Sequence, residues 1–401
     1  MGSRLHSYLL TRCPFRAATA HQAPQVNLQE VGPPFWISLG EANSKCEHLS
    51  QVPMRPDTAN QLHQLYLAKG AAATTAIEGN TLSEAEVLRA VEGKLQVPPS
   101  KEYQKQEVEN IIAACNAISS QLAEEKLPAV TPGLIAGYNQ RVLARLPLAE
   151  GVVPGRYRTF SVQVGDVYRG APAEDCPFLI DRLCQWLNSD DFAARPGLEL
   201  VYAIIKAVLA HLYLAWIHPF GDGNGRTARL LEFHILLSAG MPSPAAHLLS
   251  NHYNETKSEY YRQLDHASKS GGDVLPFLRY AVRGLGDGLR KQLQFVWQQQ
   301  WDLTWRNYVH ELFQNKSSPS DLRQRHLALD LGARNEWVSI ASLPQLTPRL
   351  ARAYARKTTK TIQRDLNALS RLGIITRETR RVRARRELIF AFLPLRQANI
   401  A

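Results

Sequence analysis

The run His218-Pro-Phe-Gly-Asp-Gly-Asn-Gly-Arg-Thr-Ala-Arg229 brings together residues suited to chemistry on a phosphate group. Its segment Gly223-Asn224-Gly225 begins a predicted helix, so exposed backbone amides and the positive helix end would attract an anion. Arg226 and Arg229 are three residues apart and share one helical face, from which both reach the same polyphosphate. The run therefore predicts an anion site.

Two further side chains extend this site towards catalysis. Asp222 directly precedes the glycine-rich turn and is placed to hold Mg²⁺ through phosphate oxygens. His218 follows an apolar predicted helix, and imidazole accepts a proton near neutral pH. The run lacks the GxxxxGK[ST] spacing of a P-loop. Base, metal ligand, amides and arginines together predict phosphoryl or nucleotidyl transfer.

The run resembles the Fic family motif HxFx[DE]GNGRxxR at every specified position. The resemblance implies transfer of AMP from Mg²⁺-ATP to a Ser, Thr or Tyr hydroxyl of a target protein, with His218 as the base and Asp222 as the metal ligand. The Gly-Asn-Gly form is similar to the AMP-transferring branch, whereas Ala-Asn-Lys belongs to a phosphorylating branch. The nucleotide-binding residues that it implies are Gly223, Asn224, Gly225, Arg226, Arg229 and Tyr261.

Two regions outside the motif resemble accessory parts of the same family. Pro154-Gly-Arg-Tyr-Arg158 and the predicted hairpin strand Gly155–Gly165 resemble a flap that aligns the target as an added β-strand, with Phe160, Val162 and Val164 as docking residues. An ordinary hairpin is the alternative. Tyr261 matches a position that packs on adenine, and a core aromatic is the alternative there.

A possible brake lies upstream of the motif. Thr74-Thr-Ala-Ile-Glu78-Gly79 fits the family's inhibitory pattern [ST]xxxE[GN], and of the Glu-Gly or Glu-Asn pairs only this one has Ser or Thr four residues earlier. The resemblance implies that Glu78 pairs with Arg229 and displaces the γ-phosphate. The alternative is an ordinary glutamate at a helix end.

The expected fold is mainly α: a helical Fic-type core with a small β-hairpin flap, followed by a winged helix-turn-helix domain. Leu198–Phe220 is apolar enough to suggest a membrane span, but Lys206 and His211 in its middle favour a buried central helix. Capping signals predict a helix over Asn224–Ser238 that Gly240 ends. The other predicted helices are Asp57–Ile77, one from Ser83, Glu102–Glu125, Pro132–Leu143, Cys176–Asn188, Glu255–Ser268 and a helical stretch Val274–Phe313.

Composition shifts suggest four regions. Residues 1–50 are expected to be an irregular strap because prolines interrupt them, 51–290 the catalytic core with its inhibitory helix, 291–320 a helical linker, and 321–401 the winged-helix domain. In the last region Leu350–Leu372 has a helix-turn-helix pattern, and the apolar segment Leu388–Leu393 is expected to be a strand of the wing.

The charge of the chain is concentrated in this last region. Between Arg352 and Glu387, twelve basic and three acidic residues give a net +9, most of the chain's +11. Such a basic domain favours DNA binding, and a protein-interaction or homodimer module is the alternative. The five cysteines form no CxxC pair, which favours a reducing, cytoplasmic location.

Two classes of function therefore compete. One is a protein adenylyltransferase restrained by Glu78, with ATP and a protein as substrates. The other is a DNA-binding transcriptional regulator whose Fic core only senses a nucleotide. The complete motif favours the enzyme, because a degenerate core has no need to retain His218 beside an intact anion site.

Overall fold

The computed structural model describes residues 31–164, 168–193, 195–270, 272–334 and 336–390. The chain divides into two compact units, Met1–Leu293 and Gln294–Ala401. Both are mainly helical, which confirms the predicted fold class. The helices of the first unit are α1 (Pro33–Gln51), α2 (Pro56–Ile77), α3 (Glu84–Val91), α4 (Glu102–Glu124), α5 (Pro132–Val142), α6 (Cys176–Leu187), α7 (Glu199–Ile217), α8 (Asn224–Ser238), α9 (Ser243–Ala246), α10 (Leu248–Glu255) and α11 (Lys257–Lys269).

Helix α7 forms the centre of the first unit. It is long and apolar enough to cross a membrane, yet 83% of its apolar window is buried inside the protein. His211 lies wholly inside, where its Nε2 is 2.8 Å from the hydroxyl of Tyr260. The prediction of a buried central helix is confirmed, because the neighbouring helices cover its apolar surface.

Helix α8 packs along α7 and has the predicted bounds. It begins after Gly223, whose φ of 74° is left-handed, and Gly240 with φ 86° follows its end. Both positions favour glycine because a β-carbon is strained there. The turn that joins the two helices, residues 218–223, contains the first half of the motif and is the candidate catalytic turn.

Helix α2 is buried along its second half because its residues there are small. Ala71, Ala72 and Ala73 are all buried, and a β-carbon at Gly70 would overlap the imidazole of His247. This close approach lets α2 pack deep in the unit. The C-terminal end of α2 thereby reaches the start of α8.

The expectation of an irregular strap over residues 1–50 is wrong for its second part. Pro33 and Pro34 begin helix α1, since proline is tolerated in the first turn, where the amide has no partner. Phe35, Leu39 and Cys46 lie buried on one face of that helix, in a helical spacing. Residues 1–30 lie outside the described part of the chain.

The expected strand Gly155–Gly165 is much shorter than predicted. The hairpin consists of β1 (Gln163–Val164) paired with β2 (Tyr168–Arg169). Upstream, Tyr157 forms a bridge to Phe220, and Arg158 N donates to Pro219 O. The segment pairs with the catalytic turn instead of continuing the hairpin, a long-range pairing that local alternation does not reveal.

The second unit has its own core and a small sheet. Helices α13 (Pro319–Gly332), α14 (Pro348–Tyr354) and α15 (Thr359–Arg371) pack with strands β3 (Val338–Ser339), β4 (Ile375–Arg377) and β5 (Arg381–Ala384), in the antiparallel order β3-β5-β4. The predicted helix-turn-helix segment, Leu350–Leu372, contains most of α14 and all of α15. Its assignment as a winged-helix domain stays a prediction.

The second strand of the wing was predicted in the wrong place. Leu388 and Ile389 belong to a 3₁₀ turn, whereas β5 lies in the arginine-rich segment. In β5, Val382 and Ala384 face the core and alternate with exposed arginines, a period of two that the high charge obscured. Residues 391–393 lie outside the described residues.

The expected linker 291–320 is not a separate element. A single helix, α12 (Leu275–Leu312), extends through most of it. Trp305, Val309 and Phe313 belong to the core of the second unit. The expected linker therefore supplies core residues, because its aromatic and apolar side chains recur at helical spacing.

Candidate active site

His218 ends α7 in a left-handed conformation, with φ 50° and ψ 57°. A side chain other than glycine is uncommon in this region and costs strain. Its Nδ1 lies 3.2 Å from the carbonyl oxygen of Ala215, an acceptor that fixes the proton on Nδ1. The other ring nitrogen, Nε2, is thereby left as the proton acceptor.

The surroundings keep the His218 ring uncharged near neutral pH. Burial lowers the pKa of His218, and the nearby Arg158 guanidinium lowers it further. The bond to Ala215 and the carboxylates of Glu78 and Asp222 act in the opposite direction but do not outweigh burial. A neutral imidazole with a free Nε2 is suited to general-base catalysis.

Asn224 holds the catalytic turn closed. Its Oδ1 accepts a hydrogen bond from Phe220 N at 2.9 Å, and its Nδ2 donates to Phe220 O at 2.8 Å. The side chain of Asn224 is therefore committed to the turn, and its backbone amide is the group available for the anion role predicted from sequence. Phe220 is buried, with 1% of its surface exposed.

Arg229 points towards the end of α2. Its Nε donates to Thr74 Oγ1 at 2.6 Å, and its Nη2 donates to Thr74 O at 2.9 Å and to Glu78 Oε1 at 2.5 Å. The guanidinium is buried, with 2% of the side chain exposed. Thr74 lies in the last turn of α2 and Glu78 caps its end four residues later, so both bind the same guanidinium.

Glu78 and Gly79 follow directly on α2. A β-carbon at Gly225 would overlap the Glu78 carboxylate, so glycine at 225 admits this carboxylate to the anion site. Burial raises the pKa of Glu78, but Arg229, Arg226 and His218 outweigh it and leave the pKa below its ordinary value. The ion pair with Arg229 is therefore lost only as pH falls through that lowered pKa, below the ordinary range of a glutamate.

Arg226 lies between two carboxylates. Its Nη1 donates to Glu107 Oε1 at 2.7 Å and its Nη2 to Asp222 Oδ1 at 3.1 Å. Its side chain is 5% exposed, whereas that of Asp222 is 50% exposed. Arg226 and Arg229 thus share a helix face but have separate carboxylate partners.

The described residues contain no cluster of three or more metal-binding side chains. Asp222 offers a single half-exposed carboxylate, whose Oδ1 accepts from Gly223 N and Arg226 while Oδ2 remains open. This donor set fits Mg²⁺ that arrives with a nucleotide, since Mg²⁺ keeps waters and phosphate oxygens and needs only one or two carboxylates.

A cavity of about 650 Å³ adjoins His218, Glu78, Gly225 and Arg229. Tyr261 lines the same cavity, is 43% exposed, and donates from its hydroxyl to Ile77 O at 3.2 Å. Its ring is therefore available beside the motif, unlike a core aromatic. The remaining lining residues are Ile77, Ala215, Trp216, Ser258, Tyr260, Arg262, Leu264 and Asp265.

Arg158 links the segment before β1 to the catalytic turn through hydrogen bonds. Its Nε donates to His218 O at 2.7 Å, Nη1 donates to Phe160 O at 2.7 Å, and Nη2 donates to Ala171 O. Phe160 is 37% exposed beside Gly221, and Val162 approaches Gly170 next to His218. The backbone of Val164 lies in β1, and its side chain lies outside the described residues.

Sequence reasoning assigned no role to Arg158 or Glu107. Arg158 is 60 residues from His218 along the chain, and Glu107 is 119 residues from Arg226. A charged residue in a helix or loop carries no local signal of such a contact. Only the packing of α4 against α8, and of the segment that contains Arg158 against the turn at residues 218–223, reveals them.

Comparison with known proteins agrees with this geometry. The model of the Fic/DOC family matches residues 130–236. Protein adenylyltransferase Fic of Nematostella vectensis is 36% identical over 210 residues, which are 52% of this chain and 45% of that protein. Protein adenylyltransferase fic-1 of Caenorhabditis elegans is 33% identical over 52% of this chain and 38% of its own length. The chain therefore spans less than half the length of these relatives.

Solved structures show the same fold. A Fic family protein from Desulfovibrio desulfuricans G20 superposes with a TM-score of 0.54 at 22% identity, covering 88% of this chain and 96% of its own. A fragment of Fic-1 from C. elegans superposes with a TM-score of 0.52 at 27% identity, covering 65% of this chain and 72% of its own. The protein therefore carries a Fic/DOC family domain, built around the motif that begins at His218.

Proposed function

We propose that this protein is a protein adenylyltransferase that transfers AMP from ATP to a hydroxyl side chain of another protein. The observation that carries the proposal is the placement of His218. Its Nδ1 is fixed by Ala215 O, and it lines one cavity together with Gly225 and Arg229. The relatives named as protein adenylyltransferases support the same activity.

The proposed reaction assigns each group a step. His218 Nε2 accepts the proton of the target hydroxyl, and the hydroxyl oxygen forms a bond to the α-phosphorus of ATP. The bond from that phosphorus to the bridging oxygen breaks, and pyrophosphate leaves with the electron pair. The amides at the start of α8 stabilise the charge on the phosphate oxygens.

Other residues position the two substrates. Arg226 and Arg229 would bind the polyphosphate, and Tyr261 would pack on the adenine. Asp222 would hold Mg²⁺, which supplies charge neutralisation to the phosphates when bound. The exposed Phe160 and the segment towards β1 would dock the target chain as an added strand, with Val162 and Val164 in the same segment.

We further propose that Glu78 restrains this activity. Its carboxylate accepts a hydrogen bond from Arg229, which would otherwise be free to bind the nucleotide. The same carboxylate lies close to Gly225 at the anion site. A hydrogen bond between charged groups contributes about 1.5–3 kcal/mol, enough to compete with one phosphate contact. Binding of the γ-phosphate by Arg229 would require this pair to open.

The test labels the transferred group. The Glu78→Gly variant is incubated with α-³²P-ATP and γ-³²P-ATP in parallel, and labelled protein is separated on a gel. Label from the α position alone supports AMP transfer, and the His218→Ala form of the same variant serves as the control. Label from the γ position means phosphorylation, while ATP binding without any label favours a nucleotide-sensing regulator.

For the second unit we propose DNA as the partner. Five basic residues around the turn between α14 and α15 are exposed, and the one acid there, Asp365, is buried and paired with Arg323. Phosphate binding needs accessible cations of this kind. The five are Arg352, Arg356, Lys357, Lys360 and Arg364. A cytoplasmic location and a homodimer stay predictions from the sequence.

A further inference from the structure

Glu107, in the second turn of α4, links Arg226 and Asn80 in the candidate active site through one carboxylate. Its Oε1 accepts from Arg226 Nη1 at 2.7 Å, and its Oε2 accepts from Asn80 Nδ2 at 2.9 Å. Its side chain is 15% exposed. Both oxygens therefore have a fixed donor in a largely dry environment, where such bonds are strong.

Both amide atoms of the Asn80 side chain make further hydrogen bonds. Its Nδ2 also donates to Gln104 O at 2.9 Å, and its Oδ1 accepts from Leu82 N at 3.0 Å. The residue is 8% exposed. Because neither amide atom is free to turn away, Asn80 presents a donor to Glu107 in one orientation.

The position of the Arg226 side chain depends on this arrangement. Its Nε is buried without a hydrogen-bond partner among the described residues, so its position depends on the two carboxylates at Nη1 and Nη2. Without Glu107, the buried guanidinium would pair with Asp222 alone. Asp222 is the group that the proposed function reserves for the metal, and an uncompensated buried charge is costly.

We infer that Glu107 is a positioning residue, which holds Arg226 for the nucleotide phosphates, and that Asn80 fixes Glu107. The inference rests on the proposed function. The turn that begins with Glu78 and Gly79 then has two opposite effects: Glu78 restrains the site, and Asn80, two residues later, supports it. Loss of the first should raise transfer, and loss of the second should lower nucleotide affinity.

The test measures ATP affinity by calorimetry on the full chain that carries Glu78→Gly and His218→Ala, in which no transfer occurs. Glu107→Gln should weaken ATP binding about tenfold, the loss of one charge-assisted hydrogen bond. The matched control is Glu109→Gln, two residues along α4, which should leave affinity unchanged. Asn80→Ala, a second variant that keeps the Glu107 charge, should weaken binding to a smaller extent.

Two further measurements separate positioning from a general structural role. With Arg226→Ala present, Glu107→Gln should have no additional effect on ATP affinity, because it acts through that arginine. In the Glu78→Gly enzyme, Glu107→Gln should raise KM for ATP about tenfold while kcat changes much less. Thermal unfolding midpoints would show that the variants fold.

Three results would overturn the inference. They are an ATP affinity of Glu107→Gln equal to that of Glu109→Gln, a full effect that persists without Arg226, and increased transfer on Glu107→Gln with Glu78 intact. The last result would make Glu107 part of the brake. If Glu78→Gly binds ATP but transfers no AMP, the proposed function fails while the affinities still decide the role of Glu107.

Discussion

At the scale of single residues, the site is defined by how each polar group is already bonded. His218 has one ring nitrogen bonded to Ala215 O, and Asn224 has its whole amide bonded to Phe220. Of the side-chain hydrogen-bonding atoms in these two residues, His218 Nε2 is the one left for proton transfer. The type of a residue thus sets which atoms can donate or accept hydrogen bonds. The hydrogen bonds it already makes decide which of these atoms remains for the reaction.

The first prediction concerns His218. Replacement with alanine should reduce AMP transfer about 10²–10⁴-fold, the usual contribution of a general base, and leave ATP affinity nearly unchanged. Both quantities are measured in the Glu78→Gly background, where we expect transfer to be fastest. Transfer at the parent rate would exclude His218 as the base.

The pH dependence of transfer follows from the environment of His218. Burial and Arg158 lower its pKa, so the basic form persists below the ordinary value of about 6.5. The acidic limb of kcat/KM should therefore lie below pH 6.5 in the Glu78→Gly enzyme. Removal of Glu78 removes a carboxylate that raises this pKa, which shifts the limb in the same direction. A limb above pH 6.5 would contradict a buried, neutral base.

At the scale of elements, the proposed restraint by Glu78 depends on how α2 packs against α8. The small side chains of α2 allow close packing, and Thr74 and Glu78 project from one face onto Arg229. Gly225 at the start of α8 leaves room for the carboxylate. The proposed inhibition therefore requires that α2 and α8 keep this relative position.

Thr74→Val tests the contact between α2 and Arg229 without changing Glu78. The change removes the bond from Arg229 Nε to the Thr74 hydroxyl and leaves those to Thr74 O and Glu78. Loss of about 1 kcal/mol from the inhibited state should raise transfer about fivefold, less than Glu78→Gly does.

The control for Thr74 is its neighbour. Thr75→Val is equally buried, but its hydroxyl bonds to Ala71 O within the same helix, so the variant should not raise transfer. Equal activation by both valine variants would mean that general loosening of α2 releases the site. Initial rates of α-³²P incorporation give the comparison.

At the scale of the whole molecule, positive charge is distributed unevenly between the two units. The excess of basic residues lies in the second unit, but not all of it is accessible. Arg386 is 5% exposed, donates to Gly332 O and forms an ion pair with Asp302. Arg377 is exposed, but its side chain donates to Asn367 of α15. These arginines stabilise the second unit, and replacing them would test its folding instead of its binding.

The accessible cations give the DNA prediction. Replacement of Arg356, Lys357 and Lys360 with alanine should weaken duplex binding by the full chain. It should also flatten the slope of log K against log salt by up to about 0.9 for each phosphate that the variant no longer binds.

The control removes the same charge from exposed positions of the first unit, Arg55, Lys94 and Lys126, and should leave the slope unchanged. Fluorescence anisotropy over a salt series measures both variants. A chain that does not bind DNA at low salt would make the second unit a module for protein partners, and AMP transfer should be unaffected by either set of changes.

The sequence alone determined the features that are local. The motif from His218 to Arg229, the bounds of α8 and the buried α7 follow from spacing, caps and composition, because helix ends and helix faces are set by residues within a few turns of each other. The pattern around Glu78 was also visible as a short motif.

Tertiary structure decided the features that depend on distant residues. The bonds of Arg158 to the catalytic turn and of Glu107 to Arg226, the pairing of Tyr157 with Phe220, and the strand at Arg381–Ala384 were not predicted. Each joins segments far apart in the chain, or depends on which face of a strand is buried. The sequence thus named the groups that do the chemistry, and packing decided which of their atoms are held and which remain free, because a hydrogen bond is set by proximity in space.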